Sequence, residues 1–315
     1  MAKLKALLLT EGYHGMISQV EGLAKALQAE FQHKIVRLNW PWNFIPPKLT
    51  PISEIILKDK HYINENKSFD LVISCGRKSV IPSAIIKKKN TNIFTIHIQD
   101  PKVNYKNFDV IIAPEHDELK GENVISSKGS IHYITQSEIE KAKNYLVNKF
   151  HNENVVSLIL GGPSKHYSFS NEELTQVFRK IKSNFISQGY KVLVIPSMRT
   201  PKRIIDLAMK EFVKDGFVVN TVDKQAYLSA LALATNIVVT CDSTSMISEA
   251  AASGKPIFVA HMKPKKNNYR FKKFFQLFRE MGITKELGDK VDNWTYNRFN
   301  EADRIATLMR KKLTN

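Results

Sequence analysis

The sequence predicts an α/β protein built from two Rossmann-like domains that face each other across a cleft. Short β-branched strands alternate with helical segments along all 315 residues, and this alternation is typical of parallel sheets. It begins again after a helix near residues 137–150, and a chain of this length is better accommodated by two domains than by one core. In both halves Gly, Ser, Arg and His follow strands, at the sheet edge where open α/β folds bind ligands.

The first predicted domain spans residues 1–150. Its strands are expected at residues 5–10, 34–38, 70–74, 93–98 and 110–113, and its helices at 15–28, 80–89 and about 137–150. An aromatic, proline-rich loop, Trp40-Pro-Trp-Asn-Phe-Ile-Pro-Pro47, follows the second strand. Its rings have two interpretations: packing in the core, or contact with a membrane interface, where Trp is favoured.

The second predicted domain spans residues 151–315. Its strands are expected at residues 155–160, 192–196, 217–220, 237–240 and 257–260, and its helices at 171–188, after Pro201, at about 225–234 and before Gly254. Gly254-Lys-Pro256 ends the last of these helices, because Gly and Pro are common just past a helix C-terminus.

The strand at residues 237–240 leads into Cys241-Asp-Ser-Thr-Ser245, a cluster of short polar side chains at the start of a small-residue helix. A helix N-terminus carries unpaired N–H donors and partial positive charge, so it can hold a phosphate. Glu249 lies one turn further on the same face as Ser245. This spacing suits a nucleotide, with its diphosphate on the hydroxyls and its ribose on Glu249. The simpler interpretation is an ordinary N-cap made by Asp242 or Ser243.

Two further strand-exit loops are candidates for the same site. In Gly161-Gly-Pro-Ser164 the glycines let a ligand approach the backbone, although a plain turn explains them too. Arg199 can bridge two phosphate oxygens, or alternatively form a salt bridge at the sheet edge. The predicted nucleotide-contacting residues are therefore Gly161, Gly162, Ser164, Ser197, Arg199, Asp242, Ser243, Ser245, Met246 and Glu249.

The composition narrows the range of partners. A formal net charge of +17 favours a polyanionic partner such as anionic lipid or a phosphorylated acceptor. There is no zinc-ligand spacing, RNA-binding signature or Walker loop in the sequence, so no specific nucleic-acid partner is expected. No apolar run approaches the roughly 20 residues that cross a bilayer. Two cysteines, each after a strand, indicate a reducing compartment rather than a disulfide framework.

Six short motifs occur in order along the chain and together resemble those of the ELM-type mitochondrial-fission-protein family, which is similar to GT-B glycosyltransferases. They are Glu11-Gly-Tyr-His-Gly-Met-Ile-Ser-Gln19, Ile98-Gln-Asp-Pro101, Pro114-Glu-His-Asp117, Gly161-Gly-Pro-Ser-Lys-His-Tyr167, Ser197-Met-Arg-Thr-Pro201 and Thr240-Cys-Asp-Ser-Thr-Ser-Met-Ile-Ser-Glu-Ala250. The chain departs from the family pattern where Glu11-Gly-Tyr13 replaces an Asp-Gly-Lys-type opening and Met198 replaces one of two consecutive arginines.

The resemblance implies a donor nucleotide bound by the second domain and an acceptor facing the first. Glycosyl transfer needs a base for the acceptor hydroxyl, and Glu11 and His14 in the first strand–helix loop are the candidates, with Glu11 preferred. The alternative is that Glu11 simply interacts favourably with the helix start. GT-B enzymes as a class need no bound metal, so neither a metal nor another cofactor is expected.

The leading hypothesis is a cytoplasmic bacterial protein that transfers sugar from a nucleotide-sugar donor to a cell-envelope glycan or lipid-linked acceptor. It would work at the inner face of the cytoplasmic membrane. One alternative is a non-catalytic GT-B-fold scaffold that binds a membrane surface or a protein. Another is a nucleotide-sugar epimerase, which would use water and no second acceptor.

Overall fold

The computed structural model describes residues 3–64, 68–150, 153–288, 291 and 293–313 and contains two compact units. Unit 1 comprises Met1–Tyr133 and Asn300–Asn315, and unit 2 comprises Ile134–Phe299. Each unit is an α/β layer structure around one parallel six-stranded sheet, which confirms the predicted class of two Rossmann-like domains. None of the helices in the described part of the chain is long and apolar enough to cross a membrane.

Unit 1 has the strand order β2-β1-β3-β4-β5-β6. Its strands are β1 (Lys5–Thr10), β2 (Glu30–Ile35), β3 (Leu71–Cys75), β4 (Phe94–Ile98), β5 (Val110–Pro114) and β6 (Val124–Ser127), and α1 (His14–Ala26), α2 (His61–Asn64) and α3 (Val80–Lys89) connect them. The order reverses direction between β1 and β3, and the carboxyl ends of the strands at such a point are where open sheets bind ligands.

Both faces of the unit 1 sheet are covered because alternate strand residues point to opposite sides. Ala6 and Leu8 of β1 belong to one apolar cluster, which includes residues of α1. Leu7 and Leu9 belong to a second cluster, which includes residues of α3. A strand buried on both faces reads as a continuous apolar run, which is why β1 is evident from sequence.

Unit 2 repeats the arrangement with the strand order β12-β11-β10-β7-β8-β9. Its helices are α4 (Gln136–Ala142), α5 (Asn171–Asn184), α6 (Lys202–Phe212), α7 (Lys224–Leu233), α8 (Thr244–Ala251) and α9 (Tyr269–Glu280), and its strands are β7 (Val155–Leu160), β8 (Lys191–Pro196), β9 (Gly216–Val218), β10 (Asn236–Thr240), β11 (Ile257–Ala260) and β12 (Thr284–Glu286). The central strands β7 and β10 are fully buried, so α8 starts from a rigid strand end.

The units divide the chain differently from the boundary predicted near residue 150. Residues 134–150 lie in unit 2 because this segment is tied to α7: Tyr145 donates to Asp223 at 2.7 Å, and the Leu146 N–H donates to Ser229 Oγ at 3.1 Å.

The last helix, α10 (Glu301–Leu313), lies in unit 1 although it comes from the far end of the chain. Ile305 and Met309 are fully buried in the same apolar cluster as α1. The Glu301 carboxylate accepts the N–H of Lys128 at 2.9 Å, which fixes the start of the helix against the loop after β6. Sequence reasoning, which followed chain order, assigned this segment to the second domain.

Candidate functional site

The carboxyl end of β10 and the start of α8 have the geometry that the sequence predicts. Ser243 is the N-cap residue, with extended backbone, and its hydroxyl accepts the N–H of Met246 at 3.3 Å. This is the cap that the simpler interpretation required. The helix N-terminus nevertheless keeps its partial positive charge, and Ser243, Ser245 and Met246 are all only half-buried there.

Asp242 is bonded through its side chain within the protein. Its side chain is wholly buried, and its carboxylate accepts the hydroxyl of Thr240 at 2.7 Å, the N–H of Gly162 at 3.3 Å and Nη2 of Arg199 at 2.5 Å. Burial raises the pKa of Asp242, and these donors oppose the rise by favouring the carboxylate. Asp242 therefore joins the end of β10 to the loops that follow β7 and β8.

The two glycines after β7 permit this close approach. A Cβ on Gly161 would lie 2.0 Å from Oδ1 of Asp242, and a Cβ on Gly162 would lie 1.9 Å from the carbonyl oxygen of Arg199. Neither distance is compatible with a real side chain. The Gly161 N–H also donates to the Thr240 hydroxyl at 2.8 Å, so the loop after β7 is bonded directly to β10.

The loop after β8 is ordered by its own side chains. Ser197 Oγ lies 3.1 Å from Thr200 Oγ1, and Thr200 Oγ1 in turn donates to the carbonyl oxygen of Gly161 at 2.9 Å. The Arg199 side chain is 43% exposed, with its inner edge on Asp242. The salt-bridge alternative for Arg199 is thus what the structure contains, and the exposed portion of the guanidinium is the part open to a ligand.

Ser164 organises the end of the glycine loop. Its hydroxyl accepts the N–H groups of His166 and Tyr167 at 3.1 and 3.2 Å, which makes a tight turn. Its carbonyl oxygen accepts Nζ of Lys265 at 2.9 Å. Ser164 therefore contributes to the shape of the loop, and the adjoining His166 is directed towards Asn268, 3.3 Å away.

Glu249 lies one turn into α8 and is half-buried. The hydroxyl of Tyr227 donates to its Oε2 at 3.1 Å. Removal from water raises the pKa of Glu249 to about 7, and the bond from Tyr227 only partly opposes that rise. A half-buried carboxyl that titrates near neutrality and has a single described hydrogen-bond donor is suited to accept hydroxyl groups from a ligand.

In unit 1 the two candidate bases have separate environments. Oε1 of Glu11 accepts the N–H of Lys78 at 3.1 Å, Oε2 lies 3.8 Å from Nζ of Lys78, and the side chain is only 9% exposed. His14 is exposed at the start of α1, and its Nε2 lies 3.2 Å from the hydroxyl of Tyr133. Lys78, in the loop after β3, is thus the described partner of the Glu11 carboxylate.

The comparisons with known proteins agree with the motifs. Residues 14–313 match the family model described as mitochondrial fission ELM1. The chain belongs to this family. It is 27% identical to an uncharacterized protein of Rickettsia prowazekii, over 91% of this chain and 93% of that protein. It is 25% identical to the mitochondrial fission protein ELM1 of Arabidopsis thaliana, over 77% of this chain and 64% of the plant protein.

Solved structures with a similar fold are enzymes of the GT-B type. A UDP-GlcNAc 2-epimerase from Neisseria meningitidis, solved with UDP-GlcNAc bound, has a TM-score of 0.58 at 11% identity and covers 99% of this chain and 100% of its own. MurG from Acinetobacter baumannii has a TM-score of 0.52 at 11% identity and covers 99% of this chain and 92% of its own. At such identities the likeness shows the fold alone.

An open pocket of about 730 Å³ in unit 2 was not predicted from the sequence. It lies between α5 and the ends of β11 and β12, and none of the predicted nucleotide-contacting residues lines it. There Nε2 of His261 lies 2.6 Å from Oε2 of Glu286. In the sequence, the position of His261 directly after a predicted strand was the signal that could have indicated this pocket.

Within the described ranges, no three or more His, Cys, Asp or Glu side chains are grouped so that they could share a metal ion.

Proposed function

We propose that this ELM1-family protein is a glycosyltransferase that moves a sugar from a nucleotide-sugar donor to a cell-envelope glycan or lipid-linked acceptor. We place it in the cytoplasm, at the inner face of the membrane that presents the acceptor. Unit 2 would bind the donor nucleotide, and unit 1 would supply the acceptor side. The GT-B fold supports this class of function, because that fold is shared with MurG.

The observation that carries the proposal is the joining of three strand-exit loops beside the start of one helix. Asp242 bonds Gly162 and Arg199, and so holds the loops after β7 and β8 against the N-terminus of α8. Ser243 caps that helix, and Glu249 lies in its second turn. Such preorganisation lets a site bind charge without rearrangement.

In this arrangement the diphosphate would lie at the α8 N-terminus, where the helix dipole and the exposed edge of Arg199 offset its charge as it leaves. Glu249 would accept the ribose hydroxyls. Glu11 would remove the proton from the acceptor hydroxyl, with Lys78 holding its carboxylate in place, and His14 is the second candidate for this step. No resident metal or cofactor is part of the proposal.

An epimerase acting on a nucleotide sugar is the second candidate, because the same fold occurs in UDP-GlcNAc 2-epimerases. It shares the proposed nucleotide site and differs in needing no acceptor. A non-catalytic scaffold is the third candidate, and it would need no nucleotide at all. The three are therefore separated by two measurements: nucleotide binding and the fate of the sugar.

The first test is thermal unfolding of the protein with each nucleoside diphosphate and with nucleotide sugars. A ligand that binds only the folded protein raises the unfolding temperature by mass action. We expect a rise with one nucleoside diphosphate and with its sugar conjugates. Incubation of the stabilising nucleotide sugar with envelope glycans and lipid-linked sugars then separates transfer from epimerisation. If no nucleotide changed the unfolding temperature, the non-catalytic scaffold would be the remaining candidate.

A further inference from the structure

The segment that follows β2 exposes apolar side chains that a water-soluble surface does not need. We define the aromatic patch as Trp40, Phe44, Leu49 and Ile55, whose exposures are 81%, 74%, 67% and 67%. Burying large apolar side chains is worth about 1.5–3 kcal/mol each, so a cluster that remains in water is typical of a surface that meets a partner.

The backbone that carries the patch is anchored to unit 1. Trp42, between the two outward aromatic residues, packs against the apolar cluster on the α3 side of the unit 1 sheet. The two interpretations of this loop therefore apply to different rings: Trp42 belongs to the core, whereas Trp40 and Phe44 point outward.

Hydrogen bonds fix both ends of the segment. Nδ2 of Asn39 donates to the carbonyl oxygens of Ile55 and Leu57 at 3.0 and 3.1 Å, which places Ile55 beside the start of the aromatic loop. Nη1 of Arg77 donates to the carbonyl oxygen of Ile45 at 2.9 Å. A preorganised patch loses little conformational freedom on binding, which favours association.

The charges around the patch identify the partner's chemistry. Residues 36–60 carry four basic side chains, all exposed: Arg37, Lys48, Lys58 and Lys60. The two acidic side chains in the same segment are engaged locally, Glu54 with Lys89 and Asp59 with the N–H of His61. Exposed aromatic rings in a segment where basic side chains outnumber acidic ones match an anionic bilayer, whose interface takes up Trp and whose headgroups attract Lys and Arg.

We infer that the aromatic patch docks unit 1 on an anionic membrane surface, with Trp40 and Phe44 in the interface and the basic side chains on lipid headgroups. This inference deepens the proposed function and rests on it for the identity of the acceptor, but the lipid contact itself needs no nucleotide.

The test is sedimentation of the full-length protein with phosphatidylcholine vesicles and with vesicles that also contain phosphatidylglycerol, at low and high salt. We expect pelleting with the anionic vesicles that weakens at high salt, because salt screens the headgroup attraction. Trp40→Ser with Phe44→Ser should lower the partition constant at least about tenfold, because less apolar surface enters the interface.

The matched control is Met209→Ser with Val213→Ser, which removes exposed apolar side chains from unit 2 and should bind vesicles like the wild type. Lys48→Gln with Lys58→Gln should weaken binding and flatten its salt dependence. No pelleting on anionic vesicles at low salt, or equal pelleting by the Trp40 and Phe44 variant, would overturn the inference, and the patch would then be assigned to a protein partner. Nucleotide affinity measured on the same variants reports separately on the proposed function.

Discussion

At the scale of single residues, Asp242 and Arg199 show how a binding loop is supported. Both were predicted to touch a nucleotide, and both lie at the predicted edge of the sheet. A carboxylate with a wholly buried side chain needs partners, and Asp242 has them in Thr240, Gly162 and Arg199. Sequence alone placed these side chains near each other but could not show that they bind one another, since that depends on the positions of separate strands.

The glycine loop should not tolerate a side chain. We expect Gly162→Ala to destabilise the protein by about 1–3 kcal/mol, because the Arg199 carbonyl oxygen has to move away from the new methyl group. Gly15→Ala is the matched control, since a Cβ there has no atom within 4 Å and Ala favours the helix. Urea denaturation of both variants checks this. Equal stability of the two variants would show that the loop is not packed as described.

The carboxyl of Glu249 should make stability depend on pH. Its pKa is about 7 in the folded protein and near its ordinary value in the unfolded chain, so the folded state holds a proton that the unfolded state releases. The free energy of unfolding should therefore fall as pH rises towards 7, by at most about 3 kcal/mol from this group. Glu249→Gln removes the titration. Denaturation at pH 5.5 and 8 should show that the variant loses less stability than the wild type, and parallel losses would contradict the assignment.

Glu11 is the preferred base of the proposed transfer. Glu11→Gln keeps the shape and the bond from the Lys78 N–H but removes basicity, so turnover should fall by about 10²–10⁴. Nucleotide binding by unit 2 should be unchanged. The assay is sugar transfer with the donor found by thermal unfolding. If Glu11→Gln is active and His14→Ala is not, the base is His14, and if both are active, it does not lie in this loop.

At the scale of elements, buried central strands were predicted closely, whereas of the four edge strands β2, β6, β9 and β12 only β9 lies near its prediction. The predicted strands at 5–10, 155–160 and 237–240 match β1, β7 and β10 within one residue. The strand predicted at 34–38 lies at Glu30–Ile35, because β2 is a polar edge strand with little apolar pattern. The short edge strands β6 and β12 were missed, as were α9 and α10. The helix predicted at 137–150 ends at Ala142 and continues as short turns.

Helix α10 should be necessary for unit 1 to be stable, although it is remote in sequence. Met309→Ala should cost about 2–5 kcal/mol, because its fully buried side chain fills the cluster shared with α1. Leu308→Ala, on the exposed side of the same helix, is the control and should cost under about 1 kcal/mol. Urea denaturation measures both. If the two variants lose equal stability, α10 does not pack on unit 1 as described.

At the scale of the whole molecule, the sequence predicted the two-sheet class and the ELM1 family, and it placed the candidate site residues in loops that follow strands of unit 2. It did not predict the return of α10 to unit 1 or the pocket beside α5. Both depend on contacts between segments far apart in the chain, which periodicity and motif spacing do not encode. The identity of the donor and of the acceptor depends on shape and hydrogen bonding that no motif here specifies.

The central claim is that unit 2 binds a nucleoside diphosphate at the N-terminus of α8. Calorimetric titration of the wild type, Ser243→Ala and Glu249→Ala with the stabilising nucleotide tests it most directly, with Glu280→Ala on the exposed face of α9 as control. Each site variant should lose about tenfold to a hundredfold in affinity, because it loses a hydrogen bond to a charged group. The control should bind like the wild type. Unchanged affinity in both site variants would contradict the claim.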